Sequence, residues 1–205
     1  MMKKFFPWLL LLCCTFANPV LAQYSILLLG DSLSASYGMQ ENEGWVSILN
    51  EKLEQDAASY RIVNASISGE TTDGGLARLP KILASKQVDY LLIELGGNDG
   101  LRGFPPKLIK NNLLQMIELA KQKNIKVIIS EVKIPPNYGQ RYNNMFNAVF
   151  TDVAEQTDSA LIPFFIEEVA INPDLMQADG IHPTKEAQPL LATRMRELLD
   201  PVVTP

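Results

Sequence analysis

Histidine is all but absent from this chain. Of its 205 residues only His182 is a histidine, so a reaction that needs an imidazole base has one natural candidate. Cysteine is nearly as scarce. Cys13 and Cys14 are the only two, and both fall in a segment expected to be removed. There Lys3 and Lys4 precede an almost wholly apolar run from Phe5 to Phe16, and Val20-Leu21-Ala22 offers small residues for cleavage. This pattern reads as a secretory signal peptide over residues 1–22. Its apolar run is shorter than the ~20 residues a membrane span requires. Neither cysteine follows a small residue, which argues against a lipid anchor.

The expected mature domain, residues 23–205, therefore has no thiol for a disulfide or a cysteine nucleophile. It carries 16 basic and 23 acidic side chains, a net charge of −7. That balance excludes nucleic-acid binding as a main role. The chain also lacks internal repeats, low-complexity stretches and any linker to a second domain. Some 180 residues make one domain with a sizeable core. A periplasmic or secreted location and a monomeric state are expected.

What the chain does have is alternation. Ile26–Leu29, Arg61–Asn64, Tyr90–Leu95, Lys126–Ser130 and Leu161-Ile162 are short apolar runs that read as buried strands. Between them, apolar residues recur at helical spacing: Trp45 to Leu53, Leu76 to Leu83, Leu113 to Ala120, Phe146 to Val153 and Leu190 to Leu198. Pro80 is expected in the first turn of its helix or at a kink. Continuous apolar strands alternating with amphipathic helices predict an α/β fold with a parallel sheet covered on both faces. Ligands in such folds bind beyond the carboxyl ends of the strands.

Polar clusters stand at those ends. Gly30-Asp31-Ser32 follows the first strand, and Ser32 there can present a hydroxyl, although a capping serine is the commoner role. No Gly-x-Ser-x-Gly elbow surrounds it, which disfavours an ordinary α/β-hydrolase. Asp179 precedes His182 by three residues, between a glycine and a proline and ahead of a helix that Thr184 is placed to cap. A carboxylate bonded to one ring nitrogen leaves the other free to take a serine proton. Gly96-Gly97-Asn98-Asp99 offers close backbone approach and an amide donor, and Gly69 an unobstructed N–H. Each alone is consistent with a plain turn. Together they supply nucleophile, base, orienting acid and oxyanion donors.

The ordered set Ser32, Gly69, Asn98, His182, within Gly-Asp-Ser-Leu-Ser, Gly-Gly-Asn-Asp and Asp-Gly-Ile-His-Pro, resembles the four blocks of the GDSL or SGNH hydrolase family. The resemblance extends over essentially the whole mature chain. It implies a three-layer α/β/α sandwich on a five-stranded parallel, flavodoxin-like sheet. It implies Ser32 as nucleophile, His182 as general base and acid, and Asp179 as the acid that orients it. The oxyanion hole would be the Ser32 and Gly69 N–H groups and the Asn98 side chain, with neither metal nor organic cofactor. The implied substrates are small acyl esters and thioesters, among them arylesters, acyl-CoA and lysophospholipids, with transient contact with membrane lipids. The resemblance also implies a loop, Asp99 to Pro106, that moves when an acyl chain binds. Leu101, Phe104, Ile134 and Tyr138 are the expected groove residues. Two rivals stay open here: a carbohydrate acetylesterase on the same scaffold, and an exported lipid-binding protein with an inert serine.

Overall fold

The computed structural model describes residues 23–203. The expected signal peptide, with Cys13 and Cys14, lies outside the described residues. Five strands form one sheet: β1 (Tyr24–Gly30), β2 (Tyr60–Asn64), β3 (Tyr90–Glu94), β4 (Lys126–Ser130) and β5 (Ala160–Ile162). All pair in parallel, in the order β2-β1-β3-β4-β5. Ile26 to Leu29 and Leu91 to Ile93 are fully buried. Each such side chain contributes roughly 1.5–3 kcal/mol by leaving water.

The helices are α1 (Trp45–Gln55), α2 (Thr72–Ser85), α3 (Gly97–Leu101), α4 (Pro106–Lys121), α5 (Gln140–Thr157), α6 (Glu167–Ala170) and α7 (Gln188–Leu199). Connections between parallel strands are right-handed. The chain runs from β1 outward to β2 on one side, then back across to β3, β4 and β5 on the other. That reversal puts α1 on one face and α2, α4 and α5 on the opposite one. Accordingly α1 packs with α7, while α4 packs with both α2 and α5. The order also sets a switch point between β1 and β3, where a crevice opens beyond the strand ends.

Three local expectations are refined by the structure. Of the two placements expected for Pro80, the first turn is excluded, because α2 begins at Thr72 and Pro80 falls in its interior. The apolar spacing around Leu76 concealed an earlier start, where the Thr71 hydroxyl accepts the Gly74 N–H. Thr184 does stand at an N-cap, but of a short 3₁₀ turn, Lys185–Ala187, and its side chain makes no capping bond. The segment Asp99 to Pro106 is also less of a loop than expected. Helix α3 takes its first three residues and α4 starts at its last.

Candidate active site

Gly30 ends β1, and the chain turns at once. Asp31 Oδ1 accepts the Leu33 N–H at 3.1 Å, and the Ser34 N–H reaches back to the Asp31 carbonyl at 3.3 Å. This side-chain-closed turn lifts Ser32 over the sheet edge. Beneath it, Glu94 at the end of β3 is fully buried, and its Oε2 accepts the Ser34 hydroxyl at 2.8 Å and the Asp31 N–H at 3.3 Å. Gly30 is required by this packing: a Cβ there would lie 2.6 Å from Glu94 Oε2 and 2.7 Å from Ser66 Oγ.

The other half of the site arrives from the far end of the sequence. Asp179 Oδ1 accepts the N–H groups of Ile181 (2.9 Å) and His182 (3.0 Å), so the carboxylate folds its own loop. Its Oδ2 meets His182 Nδ1 at 2.7 Å. His182 Nε2 then lies 2.8 Å from Ser32 Oγ. The bond to Asp179 fixes the proton on Nδ1 and leaves Nε2 as acceptor for the serine hydroxyl. Tyr37 stacks on the imidazole, with ring centroids 4.0 Å apart and planes at 26°. Gln177 clasps the two segments, donating to the Tyr37 carbonyl (3.2 Å) and the Pro183 carbonyl (3.1 Å).

The two aspartates differ electrostatically. Burial pushes Asp179 up, but the His182 and Ile181 N–H groups and the His182 ring outweigh it and hold the carboxyl at about 2. Burial pushes Asp31 up to about 6, against the Leu33 N–H, His182 and the Asn98 amide. Burial also raises Glu94 well above the usual carboxylate range, with Asp31 adding to it.

Gly69 adopts φ +78°, a left-handed conformation that favours glycine, and nothing lies within 4 Å of where a Cβ would stand. Among the described residues neither the Ser32 nor the Gly69 N–H takes part in a hydrogen bond. The Asn98 amide is engaged: Nδ2 donates to the Glu70 carbonyl at 2.9 Å and to Asp31 Oδ2 at 3.1 Å. Ser32, Asn98 and His182 line one cavity of about 510 Å³. Its walls are largely apolar, with Leu101, Ile134, Phe164, Ile166, Met176 and Ile181 among them. Leu101 and Ile134 were expected there. Phe104 and Tyr138 were expected too but lie outside the lining. The Phe104 carbonyl accepts from Tyr142, and the Tyr138 hydroxyl donates to the carbonyl of Leu101, a wall residue.

Residues 28–189 match the model of the GDSL-like lipase/acylhydrolase family. The chain belongs to this family. It is 44% identical over 197 residues to thioesterase 1/protease 1/lysophospholipase L1 of Escherichia coli, covering 96% of this chain and 92% of that protein. It is 46% identical over 182 residues to esterase TesA of Pseudomonas aeruginosa, covering 89% and 90%. Among solved structures, psychrotrophic esterase EstA from a Pseudoalteromonas species superposes with a TM-score of 0.86 at 44% identity, covering 88% of this chain and 98% of that one.

Several residues around this GDSL-family site escaped the reading of the sequence. Tyr37 and Gln177 carry no motif, and their placement depends on two segments 140 residues apart. Asp31 was legible as part of a motif but not as a buried carboxylate. Glu94 left one trace, an acid inside the apolar run Tyr90–Leu95. Arg102 donates to the Gly69 carbonyl at 3.2 Å.

Proposed function

We propose that this chain is an exported serine esterase that cleaves acyl esters and thioesters through an acyl-enzyme on Ser32. Ester hydrolysis is the common ground of the family and its relatives. The observation that carries the mechanism is the continuous relay Asp179–His182–Ser32, at 2.7 and 2.8 Å, opening into an apolar cavity. His182 Nε2 takes the proton as Ser32 Oγ attacks the carbonyl carbon. Asp179 stabilises the resulting imidazolium without taking its proton. The oxyanion is received by the Ser32 and Gly69 N–H groups. Asn98 adds a third donor by sharing with the oxyanion the N–H that meets Asp31 Oδ2 at 3.1 Å, while its other N–H stays on the Glu70 carbonyl at 2.9 Å. His182 then protonates the leaving alcohol or thiol, and water repeats the sequence on the acyl-enzyme.

The apolar cavity supports acyl chains over a small polar acetyl site. Each buried methylene adds about 0.8 kcal/mol, so chain length is expected to matter. Arylesters, acyl-CoA and lysophospholipids are the proposed substrates, and a periplasmic or secreted location favours the last. Among the described residues no helix is long and apolar enough to cross a membrane. The test is a fluorophosphonate probe on the purified mature protein, followed by acyl esters, thioesters and lysophospholipids of graded length. Covalent labelling at Ser32 and a rate that rises with chain length support the reading. An unlabelled serine overturns it, and a preference for acetyl esters overturns the substrate assignment.

A further inference from the structure

Glu94 is a buried acid that the proposed reaction does not use. It sits at the end of β3, paired across the sheet with Gly30. It forms no ion pair among the described residues, and Oε1 has no hydrogen-bond partner. Its Oε2 takes both available donors, the Asp31 N–H and the Ser34 hydroxyl, which flank Ser32 on either side. Two carboxyl groups, Glu94 and Asp31, thus lie close enough to repel each other beside the turn that carries Ser32. The other charged groups that Asp31 feels are His182, on the loop after Met176, and Asp99, on α3, whereas the charged neighbour of Glu94 is Asp31.

A buried carboxylate without a cation is far more costly than a buried carboxylic acid, and such a group keeps its proton instead. The two acids have unequal settings. Asp31 is held by the Leu33 N–H and the Asn98 amide and feels His182, whereas Glu94 has only two donors on one oxygen. We infer that Glu94 is a positioning residue that works as an uncharged carboxylic acid: it clamps the nucleophile turn from below and leaves the pair's single negative charge on Asp31, where that charge holds the Asn98 amide at the rim. An ionised Glu94 would repel Asp31 and favour protonation there, and the Asn98 amide would lose its charged acceptor. This inference rests on the proposed hydrolase reading for its catalytic consequence, but not for the protonation state itself.

The protonation state is read without turnover. An infrared difference spectrum of the wild type against Glu94→Gln at pH 8 is expected to contain the C=O band of a protonated carboxyl group. Absence of that band overturns the inference even if the enzyme is fully active. Three variants then test the clamp. Glu94→Leu removes it and is expected to lower kcat and the rate of fluorophosphonate labelling about 10- to 100-fold, with KM changed much less. Glu94→Asp draws the carboxyl back and is expected to fall in between. Glu94→Gln has the shape and neutrality of the acid and is expected to restore kcat to within about threefold, with the acid limb of the pH–rate profile unmoved. A Gln variant as impaired as the Leu variant overturns the inference. So does an acid limb that drops by a unit or more, the mark of a lost negative neighbour. If Glu94→Leu does not fold, the Gln variant and the infrared band still decide. A wild type that is never labelled counts against the hydrolase reading and leaves the infrared result standing.

Discussion

The nucleophile turn and the histidine loop each bring an aspartate to the site, and the two are driven in opposite directions. Asp179 lies on a half-exposed loop. Two N–H groups on one oxygen and the imidazole on the other hold it at about 2. Asp31 is 4% exposed, with Glu94 behind it, and burial lifts it to about 6. The same side chain is thus a permanent anion in one place and a titrating group in the other. What decides is the supply of donors relative to water lost. The histidine loop is organised by its own carboxylate and by Gln177, which donates to the Pro183 carbonyl. The nucleophile turn is organised by its neighbours in the sheet, and its acids are tolerated only because one of them can stay neutral.

The contrast can be broken from either side. Ser32→Ala removes the only group that both regions serve, and turnover of short p-nitrophenyl esters is expected to fall on the order of 10⁶-fold with the fold intact. Asp179→Asn leaves the loop its hydrogen bonds in outline but lets the imidazole take the wrong tautomer. A drop of about 10⁴-fold in kcat is expected, and a drop below tenfold would remove Asp179 from the relay. Asn98→Ala, on the side Asp31 serves, is expected to cost about 10²–10³-fold, read from kcat at saturating ester. An unchanged rate would take Asn98 out of the oxyanion hole.

Stability against pH separates the aspartates with opposite signs. Asp31 has a folded value of about 6, above its ordinary value of 3.8. The folded state therefore binds the proton more tightly, and the stability this lends is lost as pH rises from about 4 to 6. Asp179 is depressed, so its contribution is present above about 4 and lost as pH falls toward 2. Urea midpoints of Asp31→Asn are expected to vary less than wild type between pH 4 and 6, and those of Asp179→Asn less between pH 4 and 2. The smallest effect belongs to Tyr37. Tyr37→Ala strips the stack from His182 and is expected to lower kcat/KM about two- to tenfold, with Tyr37→Phe close to wild type.

The same contrast explains what the sequence made legible. The histidine loop is local: Asp179, Gly180 and His182 fall within four residues, so their motif and their geometry coincide. The strands were legible because Ile26–Leu29 and Tyr90–Ile93 are buried on both faces and read as unbroken apolar runs. The nucleophile turn was legible only in part. Asp31 and Glu94 are 63 residues apart and meet because β1 and β3 are neighbours in the sheet. No local pattern contains that pairing. Phe104 and Tyr138 were misplaced for a related reason: they are aromatic and close in sequence to the cavity, but the contacts of their segments, Tyr142 with the Phe104 carbonyl and Tyr138 with the Leu101 carbonyl, are 38 and 37 residues apart and leave no local pattern.

Ser32 and His182 are separated by 150 positions, and α1 through α6 are made between them. On the proposed relay the serine acquires its base only once translation has passed His182, 150 positions later. Every shorter nascent form carries a hydroxyl with no imidazole to activate it. On that mechanism, any fragment ending before His182 is inert by composition, not by inhibition.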